Sequence, residues 1–458
     1  MKGRLAIFAA VWCGMAFGSA VAGEKGSASG PSPSLPDDYS CKVCHWKDGE
    51  LWNQETPTVS ESELADDIHW QVGLRCHDCH GGAPSIEDYE NHRTDESFHA
   101  IASPADIPGF CGRCHSKIEY MRRYTPSART DQETEYWTSG HGQRLKESLE
   151  EKKVDKDVAT CVDCHGRHGI LAVNDPRSPV YPTHVGETCA RCHSDEKRMA
   201  GRTYHGRPLG HDQYEQWQQS VHGQALLKKG DLSAPTCNDC HGNHGAVPPG
   251  IDSVANACGS CHAKQAELFS EARMKHRFEE IGLPGCVTCH GNHRIVQPTD
   301  EMLGMAKSAV CSRCHSPENE QYGAPLAGGE AAAAMRKAME DLKQQIAEAQ
   351  AKLAEADRLG MEVSGPRYDL RQAVDALTNA RSLIHSFSLD RVQKALKEGL
   401  DVATNVNKRA EDALREHTYR RIWLAVSLVP ILLVVTLLIL YIRTLPIPEP
   451  TSPHEADR

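Results

Sequence analysis

The sequence predicts a mainly α-helical chain with long loops, in which a motif-studded first two thirds is followed by a three-helix antiparallel bundle and one C-terminal transmembrane helix. Three observations predict it. A Cys-x-x-Cys-His motif occurs nine times between Cys41 and His315, an apolar seam of helical period begins after Gly328-Gly329, and the stretch Ile422 to Ile442 carries no charged residue.

The motifs take up every cysteine of the nineteen except Cys13. Cys-x-x-Cys-His is the attachment signature of c-type haem, so the expected cofactors are nine c-type haems. Their thioether positions are Cys41, Cys44, Cys76, Cys79, Cys111, Cys114, Cys161, Cys164, Cys189, Cys192, Cys237, Cys240, Cys258, Cys261, Cys286, Cys289, Cys311 and Cys314. The histidine closing each motif reaches the iron from the same side: His45, His80, His115, His165, His193, His241, His262, His290 and His315. A zinc-site reading of these spacings conflicts with nine attached histidines and with an export signal.

That signal stands at the N-terminus. Lys2 and Arg4 precede an apolar stretch from Leu5 to about Phe17, and Ala20-Val21-Ala22 supplies a small-residue cleavage site. Residues 1–22 therefore read as a secretory signal peptide, with Cys13 inside the removed segment. Residues 23–40, rich in Ser, Gly, Pro and Ala, read as a flexible linker. Export also suits the chemistry, because paired thiols left without haem in an oxidising compartment would oxidise.

A net charge of −11 with no basic stripe in the motif region excludes nucleic acid as an expected partner. Aromatic residues make up only 6%, so large flat cofactors are expected to provide much of the apolar interior of residues 41–322.

Successive motifs begin 35, 35, 50, 28, 48, 21, 28 and 25 residues apart. The alternation groups them as one N-terminal haem followed by four two-haem modules. Wording repeats as well: Ser139-Gly140-His141-Gly142 and Ser220-Val221-His222-Gly223 precede motifs, and Cys-His-Gly-x-His recurs at Cys164, Cys240 and Cys289. The first module lacks that second form, so its distal ligands are expected to come from elsewhere.

A second histidine on each iron gives six-coordinate, low-spin, low-potential haem suited to electron transfer. Thirteen histidines outside the motif positions lie in this region, enough for mostly bis-His low-spin haems. The distal candidates are His69, His92, His99, His141, His168, His222, His244, His276 and His293. The repeated contexts single out His141, His168, His222, His244 and His293, while His69 and His276 occupy matching upstream places. His184, His205 and His211 are weighed evenly against ordinary surface histidines. His77 reads as a bystander, and His385, His417 and His454 as structural or solvated.

After Gly328-Gly329, Met335, Met339, Leu342, Ile346, Ala349, Leu353 and Ala356 form the seam of an amphipathic helix. Gly360 suits its C-cap. Pro366 is expected to open a second helix carrying Leu370, Val374, Leu377 and Ile384, and Ser388 to cap a third. Residues 330–421 thus read as the bundle, 422–442 as the membrane span and 443–458 as a cytoplasmic tail. Lys408, Arg409, Arg415, Arg420 and Arg421 precede the span, so the positive-inside rule alone would put the motif region in the cytoplasm. The export signal and haem attachment overrule it.

With SxHG, CxxCHGxH and a following CxxCH, residues Cys41 to His315 resemble the doubled-CxxCH multihaem cytochromes of respiratory bacteria. The resemblance implies a haem-organised multihaem cytochrome domain, with haems stacked in pairs as a continuous electron wire. It also implies that the His of SxHG and the last His of CHGxH are distal ligands, often to a haem other than the nearest. The expected function is an electron carrier in the inner membrane with its haem domain in the periplasm. It would relay electrons in anaerobic respiration from a quinol-oxidising membrane subunit to periplasmic redox proteins. The alternative is a multihaem oxidoreductase acting on nitrite, hydroxylamine or tetrathionate at one open haem site.

Overall fold

A computed structural model describes Leu35 and residues 39–46, 57–82, 96–204, 206–248, 250, 252–318 and 322–447. The signal peptide with Cys13, most of the linker, His92, His205, His454 and the tail beyond 447 lie outside the described residues. The chain is mainly helical, and its described strands are one antiparallel pair, Thr203–Tyr204 with Arg207–Pro208.

Two compact units divide it. One comprises the described residues up to Ala102 together with His165–Asp175. It is fastened by backbone donation from Ile68 to the Ile170 carbonyl at 2.7 Å and from Ile170 to the Asp67 carboxylate at 2.9 Å. Leu35, Tyr39, Leu64 and Trp70 form its small apolar core. Adjacency in sequence predicts none of this exchange.

The other unit comprises Ser103–Cys164 and the chain from Pro176 onward. Its motif-bearing part has only scattered buried apolar side chains, such as Leu145, Leu226 and Leu268. From Leu326 the character changes. Helices Leu326–Arg358, Ser364–Leu383 and Leu389–Thr444 share one core. All seven predicted seam residues of the first helix are buried in it. On the second helix Leu370 and Leu377 face the core as expected, but Val374 is exposed and Ala373 and Ala380 are buried instead. The smaller alanines let the second and third helices approach. An added Cβ at Gly399 of the third helix would lie 2.7 Å from Ala376 Cβ and 3.0 Å from Leu342 Cδ2. Leu342 is fully buried at this crossing. Leu342→Ala is therefore expected to cost about 2–5 kcal/mol, read as a lowered melting temperature of these helices in circular dichroism.

The first helix begins at Leu326 and so includes Gly328 and Gly329, which were expected to lie before it. Side chains there would run into the His315 ring and the Met305 sulfur. The two glycines thus let the helix start directly on the ninth motif. Asp300 adds a second tie, accepting from Arg381 Nε at 3.0 Å, Arg381 Nη2 at 2.9 Å and Lys343 Nζ at 3.2 Å. The Arg381 hydrogen bond, aided by Lys343, holds the Asp300 carboxyl below its usual range despite partial burial. A depressed carboxylate contributes stability that is present above its unfolded value near pH 4 and is lost as pH falls through the folded one. Asp300→Ala is expected to destabilise the unit by about 1–3 kcal/mol at pH 7. The difference from wild type should vanish in urea titrations performed at progressively lower pH.

Ser388 Oγ accepts from Arg391 N and caps the third helix. That helix continues without a break through Pro430, and its Ile422–Ile442 stretch is exposed on all sides. It is long and apolar enough to cross a bilayer.

Candidate haem sites

Most motifs lie on a short helix ending at their own histidine, as in Cys76–His80, Cys161–His165, Cys237–His241 and Gly285–His290. One helical turn places residues i, i+3 and i+4 on one face, so both thiols and the imidazole project together. Local chemistry fixes these turns. The Asp between the two cysteines accepts from the backbone N–H ahead of the motif, Asp78 from Arg75, Asp163 from Thr160 and Asp239 from Thr236, at 2.7 to 2.8 Å. The glycine after the motif histidine then reverses the chain. Gly242 sits at φ +83°, where a side chain would also meet Val247.

SxHG is a helix start. Ser139 Oγ accepts from Gly142 N at 3.0 Å and donates to the Tyr136 carbonyl at 2.6 Å. Ser220 does the same with Gly223 and Trp217. At both glycines a Cβ would collide with that same carbonyl. The serine therefore caps the helix, the glycine lets it abut the preceding one, and the histidine between them is held in its first turn.

These helices bring motif histidines opposite others. Ring centroids are 6.5 Å apart for His80 and His168, 6.0 Å for His141 and His193, 6.3 Å for His222 and His262, 6.0 Å for His241 and His293, and 6.2 Å for His290 and His385. Two metal–nitrogen bonds of about 2 Å each, with the distance from each nitrogen to its ring centre, amount to about 6 Å. Burial, and then the facing ring, push the His222 and His290 imidazoles below their usual range. The neutral imidazole is the form that ligates a metal.

Other histidines are oriented by their second nitrogen. His45 Nδ1 pairs with the Pro57 carbonyl at 2.8 Å and His315 Nδ1 with the Pro325 carbonyl at 2.7 Å. A carbonyl on Nδ1 fixes the tautomer and leaves Nε2 for a metal. His184, evenly weighed in the sequence, has the same arrangement with the Ser178 carbonyl at 3.1 Å.

The motifs also adjoin one another. The first thiols of consecutive motifs lie beside one another in pairs, Cys41 with Cys76, Cys111 with Cys161, Cys189 with Cys237 and Cys258 with Cys286. Second thiols also neighbour one another: burial raises Cys164, Cys240 and Cys289, and the adjacent thiols of Cys192, Cys261 and Cys314, respectively, add to it by like charge. Both linkages alternate along the chain, so contacts cross the boundaries of the two-haem modules as readily as they fall inside them.

Of the distal candidates, His141, His168, His222 and His293 thus face motif histidines. His276 is exposed, with Nδ1 3.7 Å from Glu279. His385, read as structural or solvated, faces His290. His69 lies 3.3 Å from Asp67, His99 is exposed with its backbone N–H on the His80 carbonyl at 2.6 Å, and His244 lies in the electrostatic field of Asp131 and Glu135. His77 shares a 2.6 Å hydrogen bond with the Tyr39 hydroxyl.

The donor set fits haem. Two thiols and an imidazole on one face, with a second imidazole across from the first, match covalent attachment and axial ligation of a porphyrin iron. Among the described residues, no three or more His, Cys, Asp or Glu side chains converge as a bare-ion cage requires. Motif and geometry are those expected of a multihaem cytochrome. Residues 232–316, which carry the motifs from Cys237 to His315, match the family model described as cytochrome c3. That match supports a multihaem cytochrome family, implies covalently bound c-type haem and supports haem-based electron transfer. No curated protein and no solved structure matches the chain.

Proposed function

We propose that this chain is a membrane-anchored relay that carries electrons along nine covalently attached haems to periplasmic acceptors. Each haem iron, when bound, takes up and gives up one electron. The observation that carries the reading is the set of imidazole pairs at about 6 Å, with thiols of consecutive motifs beside one another. Paired imidazoles would ligate each iron from two sides and leave no site for a substrate, which suits transfer rather than substrate binding. Neighbouring thiols would hold successive haems close to one another.

The third long helix sets the height of this relay. From Leu389 to Arg421 it rises about 50 Å at 1.5 Å per residue before its apolar span begins. The haem-bearing part meets the opposite end of the helices, at Pro325 and Asp300. With the motif region in the periplasm, the helices act as a stalk, and the span, which has no histidine, cannot hold a haem of its own. The electron donor is then a quinol-oxidising membrane subunit whose own redox centres extend well above the bilayer.

Turnover with small oxidants tests the relay against the oxidoreductase alternative. The reduced full-length protein should show no steady-state consumption of nitrite, hydroxylamine or tetrathionate above background. Sustained turnover with any of them would overturn the relay reading.

A further inference from the structure

We infer that His385, in the turn between the second and third long helices, is the sixth ligand to the iron of the eighth motif, so that the membrane-anchoring helices themselves complete the haem chain. This rests on reading the motifs as haem sites.

The His385 and His290 rings are 6.2 Å apart and 22° from parallel, within the spacing of the four pairs built from SxHG and CHGxH histidines. Among the described residues, no hydrogen bond joins these two rings. His385 Nδ1 is taken up by the Ser382 carbonyl at 3.0 Å, the orientation of His45 and His315, which leaves Nε2 as the nitrogen available to a metal.

The turn is built to hold that ring. His385 sits in a single 3-10 turn, Ile384–Ser386, closed by Ser386 Oγ donating to the Leu383 carbonyl at 2.6 Å. Phe387 follows at φ +53°, a conformation unfavourable for an aromatic residue. Its ring packs at 6.1 Å on Phe269 in the helix after the seventh motif. Such strain persists where surrounding structure imposes it, and such positions cluster at ligand sites.

The register of the CHGxH repeat leaves the same place open. The CHGxH histidine of the fourth motif, His168, faces the second motif, and that of the eighth, His293, faces the sixth. Each thus serves the motif two places earlier. The eighth motif requires a histidine from a tenth, and the motifs end at nine. His385 takes the place that the repeat leaves without a donor.

The test uses the full-length, haem-loaded protein with His385→Ala and His276→Ala, read by electron paramagnetic resonance and by carbon monoxide binding to the reduced form. His385→Ala should convert about one haem in nine from low to high spin, relative to wild type, and let it bind carbon monoxide. Added imidazole should restore the low-spin signal, and His276→Ala should match wild type. A His385→Ala protein with nine haems by intact mass and no new high-spin signal would overturn the assignment, as would a high-spin haem in His276→Ala. Should the alanine variant fail to accumulate, His385→Met decides: one haem midpoint rising with all haems still low-spin supports the ligation, and unchanged midpoints overturn it. Wild-type protein whose Cys286 and Cys289 carry no haem would instead refute the underlying haem reading.

Discussion

Produced without haem attachment, the chain is expected to lose the ordered structure of its motif-bearing region while keeping the helices from Leu326 onward. The cause is the uneven supply of apolar interior. Eighteen buried residues form one continuous core across the three long helices. Around the motifs, by contrast, the clusters among the described residues reach only three or four residues, such as Tyr136, Leu145 and Val158. Burying apolar area contributes about 25 cal/mol per Å², and ordering each residue costs about 1–2 kcal/mol. So sparse a core cannot offset the ordering of the 214 residues from Ser103 to Ser316. Covalent haem both supplies interior and crosslinks the chain. Limited proteolysis checks this: the apo-chain should be cut throughout residues 103–316, leaving a protected fragment from about residue 326. A protease-resistant apo motif region would contradict it.

Replacing one facing histidine is expected to have the second largest effect. His141→Ala removes the ring opposite His193 without touching the fifth motif's own residues. It should leave haem number intact, convert about one haem in nine to high spin, and slow electron delivery through the chain at least about tenfold. The last figure follows because loss of an axial imidazole shifts potential, and about 59 mV on one electron is tenfold in equilibrium. Transfer is serial, so one mismatched centre limits the whole. His77→Ala is the control, because His77 is engaged by Tyr39 outside any facing pair. Stopped-flow oxidation of fully reduced protein reads both. An unaltered rate and spectrum in His141→Ala would contradict the pairing.

Much of this was legible in the sequence because it is local. Cys-x-x-Cys-His needs one helical turn, Ser139 and Ser220 need one cap, and the seam from Met335 to Ala356 needs one helical face. What the sequence hid depends on contacts between distant segments. The second helix is rotated so that Ala373, rather than Val374, meets its neighbours, because close approach at Gly399 selects the smaller side chain. His276 occupies an upstream place in its module, yet it lacks the serine cap and the tight glycine that hold His141 and His222, and its helix leaves it in solvent. His385 carries no motif at all; only the unfilled place in the CHGxH register, set beside a histidine in a helix turn, could have signalled it. The association of His165–Asp175 with the first unit depends on pairing between Ile68 and Ile170, about a hundred residues apart.

The central claim, a chain of bis-histidine c-type haems that carries electrons, is tested most directly by the electron paramagnetic resonance spectrum of the oxidised full-length protein with and without cyanide. The oxidised protein is expected to give an essentially low-spin spectrum, integrating to about nine haems and unchanged by cyanide. A high-spin haem that binds cyanide at full stoichiometry, or a low-spin integral well short of nine, would contradict it.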